Sequence, residues 1–277
     1  MASNDWKTQV KDVTSQAEDL LDKVGTPLKP YLPGLGRLLI VCTFYEDSLR
    51  ILSQWSDQLY YLEKHRHFPW GISHIFLLLN VVTMLTCSSM VVAKKHSEIA
   101  VGALLGVVVA QAIGYGLLFE PSFFLRNVSV MGGLLMVLSD SFARRRRMFA
   151  ALPTLSETDR RKYFQLAGRV LLIFLFLGFV FHGEWSLLRV LVSLVGLGAC
   201  VMVVVGFKAK WSATFLVLFL SVFNLLVNNW WSVHHSHPER DFLKYDFFQT
   251  LSIVGGLLLL ANMGPGGLSL DESKKEY

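Results

Sequence analysis

The chain has 277 residues, of which 53% are hydrophobic and 17% charged, with a formal net charge of +5. A soluble domain of this length is nearer a quarter charged, so the composition excludes one water-soluble globule and points to a polytopic membrane protein. Its basic balance then reports membrane topology rather than a nucleic-acid partner.

Residues 1–34 are polar, but Trp6, Val10, Val13, Ala17, Leu20 and Val24 recur at helical spacing. The pattern predicts a cytosolic amphipathic helix lying on the membrane or against the bundle. It holds no apolar core of a cleavable signal, so the first span is expected to act as a signal anchor.

Eight apolar stretches follow, at roughly 35–54, 71–92, 98–118, 123–140, 164–182, 187–206, 211–231 and 246–263. About 20 residues cross a hydrocarbon layer of ~30 Å as a helix. The first is the most polar, because Glu46, Asp47 and Arg50 lie inside it. With the N-terminus in the cytosol, 17 of the 26 Lys and Arg fall in cytosolic segments and four in opposite loops. Every cytosolic segment obeys this positive-inside bias, which predicts that both termini are cytosolic. Trp55, Trp70, Trp185, Trp230 and Trp231 cluster at the far interface, as an aromatic belt does.

Three matches recur in order along the chain. GRLLIV at Gly36 pairs with GRVLLI at Gly168, VVAKK with VVVGFKAK, and SVMGGLL at Ser129 with SIVGGLL at Ser252. They predict two parallel four-helix repeats, 35–140 and 164–263, related by an axis along the membrane normal. The repeats are joined by a basic cytosolic linker, 141–163, that carries Arg144 to Arg147 and is suited to anionic lipid.

Within the spans, Cys42, Cys87 and Cys200 are expected as free thiols. Gly102, Gly106, Ala110 and Gly114 form a small-residue stripe that allows close helix contact. Asn80, Gln111, Ser221, Asn224 and Asn228 add polar groups that either hold the bundle together or line a wet cavity. The sequon at Asn127 sits too near the membrane to be an expected acceptor. Far-side loops carry Asp57, Glu63, Glu120, Glu184, Glu239, Asp241 and Asp246 against Lys64, Arg66, Arg240 and Lys244, a rim that attracts cations. Seven of the eight His also lie there, including HHSH at 234–237, which reads as solvated loop rather than metal ligands. No zinc spacing, phosphate loop, nucleophile elbow or paired-carboxylate motif stands out, so neither an enzyme nor a cofactor is expected. The tail, 264–277, ends in KKEY, with Lys274 and Lys275 at −4 and −3; this is the dilysine pattern of a retrieval address.

FYEDSLRILSQWSDQ, GRVLL, DFLKYDFFQT (241–250), GGLLL, GPGG (264–267) and the terminal KKEY together resemble the Surfeit locus protein 4 family of endoplasmic-reticulum cargo receptors. The resemblance covers nearly the whole chain. It implies a receptor in the membranes of the endoplasmic reticulum, the intermediate compartment and the Golgi. Soluble secretory cargo, lipoproteins included, is captured in the lumen for COPII export, and the receptor is retrieved by COPI. It also implies recognition of cargo amino-terminal segments and a distant relation to four-span DoxX-like proteins. Homo-oligomerisation is left open. A small-solute or lipid transporter is the alternative, because parallel repeats and intramembrane charges suit one too.

A cargo amino terminus is a cation followed by a few side chains. Acids in a dehydrated pocket suit it, because an ion pair in bulk water is worth only ~1 kcal/mol. Two acids beside one Arg50 leave a surplus negative charge, so Glu46 and Asp47 are candidate ligands, with Asp246 at the entry of span eight. Tyr245, Phe247 and Phe248 are candidates to hold apolar cargo side chains, and Asn224 and Asn228 to bond its backbone.

Overall fold

A computed structural model describes residues 30–148, 155–174, 187–234, 237, 239–264 and 266–269. The amphipathic segment before residue 30, Lys274 and Lys275 of the tail, and residues 235 and 236 of the HHSH stretch lie outside the described residues.

The described residues form an all-helical bundle without strands. In chain order the helices are α1 (Leu32–Ser53), α2 (Trp55–Lys64), α3 (Trp70–Val92), α4 (Ser97–Gly114), α5 (Pro121–Met148), α6 (Leu155–Leu172), α7 (Leu187–Val205), α8 (Ala209–Val227) and α9 (Glu239–Met263). Proline opens two of them, in the first turn of α1 and at the first residue of α5. There its missing N–H leaves no intrahelical bond unmade. His96 and Lys208, both left-handed, precede α4 and α8 and reverse the chain in tight turns.

Among the described residues, five stretches are long and apolar enough to cross a membrane: Trp70–Val92, Ser97–Gly114, Phe123–Phe142, Ala209–Ser232 and Glu239–Met263. They correspond to expected spans two, three, four, seven and eight. The first expected span is also one helix, α1, but it carries four charged residues, Arg37, Glu46, Asp47 and Arg50. Span six is the helix α7, Leu187–Val205, whereas span five is described only in part, through α6 and as far as residue 174. Boundaries move where polar residues extend a helix past its apolar run. α9 starts at Glu239 instead of 246, and α5 continues to Met148 through the arginine run. Arginine and alanine are good helix formers, so the expected linker is largely helical. The far-side loop after α1 also contains a helix, α2, separated from α1 by a break at Gln54.

The α1–α9 and α5–α6 pairs approach closely enough to exclude side chains. A Cβ added to Gly255 of α9 would lie 2.6 Å from the Gly36 carbonyl oxygen and 2.8 Å from the Ile40 nitrogen of α1. A Cβ at Gly132 of α5 would lie 3.0 Å from the Gly168 carbonyl oxygen and 2.7 Å from the Leu172 nitrogen of α6. The contacts match position by position, with Gly36, Leu39 and Ile40 answering to Gly168, Leu171 and Leu172. The Ser252 hydroxyl adds a 2.7 Å hydrogen bond to the Ile40 carbonyl. By contrast, Gly102 and Gly106 of the α4 stripe meet nothing within 4 Å among the described residues, so these two do not serve contact between the described helices.

Next to Gly36, near the N-terminus of α1, Arg37 is buried and donates to Asp140 of α5 at 2.5 Å and 3.2 Å. It also reaches the Val91 carbonyl and the Ser97 hydroxyl, both at 3.5 Å, which joins α1 to α3 and α4. Cys42, Cys87 and Cys200 are free thiols, as expected.

The glycine contacts give a direct test. Gly132→Ala and Gly255→Ala each force backbones apart, and overpacking of this kind costs about 1–3 kcal/mol. Gly102→Ala, facing open space, should leave stability unchanged or slightly raised. Thermal unfolding of the purified protein in detergent measures the difference; equal melting of all three variants would contradict the packing described.

Candidate functional site

The bundle end holding the C-terminus of α1 and the N-terminus of α9 encloses a cavity of about 510 Å³. Walls come from α1, α2, α4, α5 and α9, each for a reason visible in the sequence. Asp47, Arg50 and Gln54 follow one another at helical spacing on α1, so one face of that helix turns polar toward the space. Asp57, Gln58 and Tyr61 do the same on α2, and Asp241 and Tyr245, four apart, on α9. Gln111, Tyr115, Phe123 and Asn127 complete a lining of amides and aromatic rings.

Hydrogen bonds stiffen the walls. Asp47 pairs with Arg50, whose guanidinium carbon lies 5.3 Å from the centroid of the Tyr245 ring. Tyr245 in turn meets Gln249 at 2.5 Å, and Gln249 donates to Asn127 at 3.4 Å. At the mouth, Gln54 donates to Asp241 at 2.8 Å, bridging α1 and α9. Asp57 and Asp241 are exposed, and among the described residues neither belongs to an ion pair.

Of the residues expected from sequence, Asp47 and Tyr245 reach this cavity. The other six sit elsewhere, for a geometric reason: successive helical residues point about 100° apart. Glu46 faces away from Asp47's side, is 3% exposed, and has the Lys244 ammonium 3.4 Å from one oxygen. The contact lacks hydrogen-bond geometry, and neither Glu46 oxygen has a hydrogen-bond partner. Asp246 is ion-paired with Arg126 of α5. The Asn224 amide donates to the Phe247 carbonyl at 3.0 Å, and the Asn228 amide donates to Asn224 at 2.8 Å. The Phe247 ring packs edge-on against Trp231 and against Phe248, with centroids 5.7 Å and 5.6 Å apart. The three expected acids therefore each have a basic neighbour, and the surplus negative charge read from α1 does not persist in the fold. The unpaired acids of the cavity are instead Asp57 and Asp241, recognisable in sequence only as acids of the far side.

Among the described residues no cluster of His, Cys, Asp and Glu could hold a metal ion. The site offers no nucleophile activated by a base. It can bind, through a negative mouth, aromatic walls and amide side chains that hydrogen-bond to a peptide backbone.

Comparison with known proteins bears on what is bound. The model of the SURF4 family matches residues 11–277. The Surfeit locus protein 4 homolog of Schizosaccharomyces pombe is 52% identical over 256 residues, covering 91% of this chain and 84% of its own. The ER-derived vesicles protein ERV29 of Saccharomyces cerevisiae is 44% identical, with 98% and 86% covered. The Surfeit locus protein 4 homolog of Drosophila melanogaster is 40% identical, with 95% and 97% covered. No solved structure matches the chain.

The charge arrangement separates structural acids from free ones. Asp246→Asn leaves Arg126 without its anion, and losing a charged hydrogen-bond partner costs about 1.5–3 kcal/mol. Asp57→Asn and Asp241→Asn should change stability by no more than about 0.5 kcal/mol, as exposed substitutions do. Thermal unfolding decides it, and a strong loss in the Asp57 and Asp241 variants would show that these acids hold the fold.

Proposed function

The chain belongs to the SURF4 family, and we propose that it is a cargo receptor cycling between endoplasmic reticulum and Golgi. In this reading the cavity end is lumenal and takes the amino-terminal segment of soluble secretory proteins, lipoproteins among them. Both chain termini are cytosolic, COPII carries the loaded receptor forward, and COPI retrieves it through Lys274 and Lys275. The observation that carries the reading is the cavity: a space of about 510 Å³ with two acids, Asp57 and Asp241, that belong to no ion pair among the described residues, and with aromatic walls inside. It suits a cationic peptide end followed by apolar side chains. A relative named for ER-derived vesicles supports the compartment.

We further read the membrane domain as eight spans in two parallel four-helix repeats. The matched glycine contacts support this, since the helix opening each repeat packs on the helix closing the other.

Two experiments test the proposal. In Asp57→Asn with Asp241→Asn, the receptor should accumulate and traffic normally while cargo bound in cross-linked cells falls several-fold; unchanged capture removes the acidic mouth from the account. For the tail, Lys274→Ser with Lys275→Ser should move the receptor toward Golgi and plasma membrane without altering its melting. A distribution identical to that of the unsubstituted protein refutes the retrieval role.

A further inference from the structure

α9 ends at Gly264, whose left-handed backbone (φ 83°) turns the chain while its N–H donates to the Leu260 carbonyl at 2.9 Å. Beyond that turn the chain stays on the bundle and lies along α6. Gln165 donates to the Gly264 carbonyl at 2.6 Å, and Arg169, one turn further on, donates to the Leu268 carbonyl at 2.7 Å. The Ser269 hydroxyl closes the segment through the Gly266 carbonyl at 2.7 Å. Packing is tight on both sides. A Cβ on Gly266 would lie 2.5 Å from the Gln165 amide oxygen, and one on Gly267 would lie 2.8 Å from Lys162 Cε. A Cβ on Gly206, between α7 and α8, would lie 2.4 Å from Ser269 Cβ and 2.6 Å from Arg169 Nη1.

Arg169 is the counterpart of Arg37, because GRVLLI repeats GRLLIV. Arg37 is answered by Asp140, eleven residues after Ser129 of SVMGGLL; eleven residues after Ser252 of SIVGGLL stands Met263. The second match thus supplies no acid at that place. Arg169 is 1% exposed, and its Nε and Nη1 have no hydrogen-bond partner. The backbone of residue 268 is what it holds, through a bond strengthened by the charge on the donor. Parting from that carbonyl inside the fold would leave the whole guanidinium desolvated and unpaired.

The stretch that carries Lys274 and Lys275 begins where this clasp ends. Lys274 is five residues beyond Ser269 and eleven beyond Met263. An extended chain spans roughly 3.4 Å per residue, so Lys274 reaches about 17 Å from the clasp, against about 37 Å from the end of α9. We propose that Gln165 and Arg169 are positioning residues for the retrieval signal: by clasping residues 264–269 against α6 they fix where the tail emerges and how far Lys274 and Lys275 reach. This rests on the reading of those lysines as a retrieval address. A coat assembled on the membrane meets a signal confined to a small volume beside the surface. Effective concentration falls as about the −3/2 power of tether length, so lengthening the tether from five residues to eleven dilutes the signal about threefold.

The test uses the full-length receptor in liposomes. Spin labels on a genetically encoded keto amino acid at positions 95 and 273 spare the native cysteines, and Lys95 is exposed in the turn between α3 and α4. Pulsed electron resonance reads the distance between the labels. The unsubstituted receptor should give a narrow distribution. Arg169→Gln and Gly266→Ala should each extend its upper edge by about 10 Å or more, within the reach that release allows. Gly266→Ala acts from outside the helices, where a φ of 82° and the Gln165 contact both oppose a side chain. It decides alone if Arg169→Gln melts early. Binding of purified COPI coat to the unlabelled receptor in liposomes should fall about threefold in both variants. A six-residue Gly-Ser insertion after Ser269, which lengthens the tether and leaves the clasp intact, should weaken the coat equally. Unchanged distances in both variants overturn the clasp and leave the retrieval reading standing. Longer distances with unchanged or tighter coat binding overturn its role in presenting the signal. Coat binding that survives Lys274→Ser with Lys275→Ser overturns the retrieval reading and this proposal with it.

Discussion

α1 places four ionisable side chains in a helix enclosed by apolar ones, and the bundle depends on answering each charge. A lone charge at a helix centre costs about 2.5–3.5 kcal/mol on insertion scales. Arg37 is answered by Asp140 of α5, Glu46 by Lys244 of α9, and Asp47 and Arg50 by each other. Two of these partners come from helices distant in sequence, so α1 cannot be buried until α5 and α9 are in place. The close approach that brings α9 within reach is set by Gly36 and Gly255. Fold and electrostatics are thus one constraint: backbone contact lets the ion pairs form, and the ion pairs make burial of the helix tolerable.

The cavity follows from the same arrangement. Arg37 and its partners fill the space at one end of α1, where Val91, Ser97 and Asp140 converge on one guanidinium. At the opposite end the ion pairs between helices, Lys244 with Glu46 and Arg126 with Asp246, lie outside the cavity lining. Asp47 and Arg50 satisfy each other along the helix instead of across it, and a space remains between α1, α4, α5 and α9. α2 covers part of it, beginning after the break at Gln54, whose side chain also reaches Asp241. A polar binding space in a membrane bundle therefore arises where pairing is local.

Much of this was legible in the sequence. Charge-poor runs located the apolar stretches at 71–92, 123–140 and 211–231 close to those observed, Trp70–Val92, Phe123–Phe142 and Ala209–Ser232. That Asp47 lies on the cavity wall could be anticipated because an intramembrane carboxylate normally faces the protein interior or a wet cavity, and Tyr245 joins it there at the entry of span eight. The exit face of each helix could not. Glu46 and Asp47 look alike as neighbours, yet one faces Lys244 and the other the cavity, since which face is inward depends on tertiary packing. Asp246 likewise reads as a free acid until Arg126 of another helix is placed beside it. α2 was missed because its apolar spacing spans only ten residues and buries one side chain, Leu62. Of the glycine stripe on α4, Gly114 does meet Phe76 of α3 closely, while Gly102 and Gly106 face open space, because small residues mark close contact only where another helix is present.

The central claim is that this cavity holds the amino terminus of secretory cargo, and site-directed photo-cross-linking tests it most directly. A photoreactive benzoylphenylalanine at Phe123, on the cavity wall, and another at Leu226, on the 71% exposed outer face, would be activated in intact cells. The account predicts that position 123 captures soluble secreted proteins through peptides that begin at their mature amino termini, whereas position 226 captures lipid. Capture of cargo through internal segments, or of small solutes and lipids alone at position 123, would contradict it.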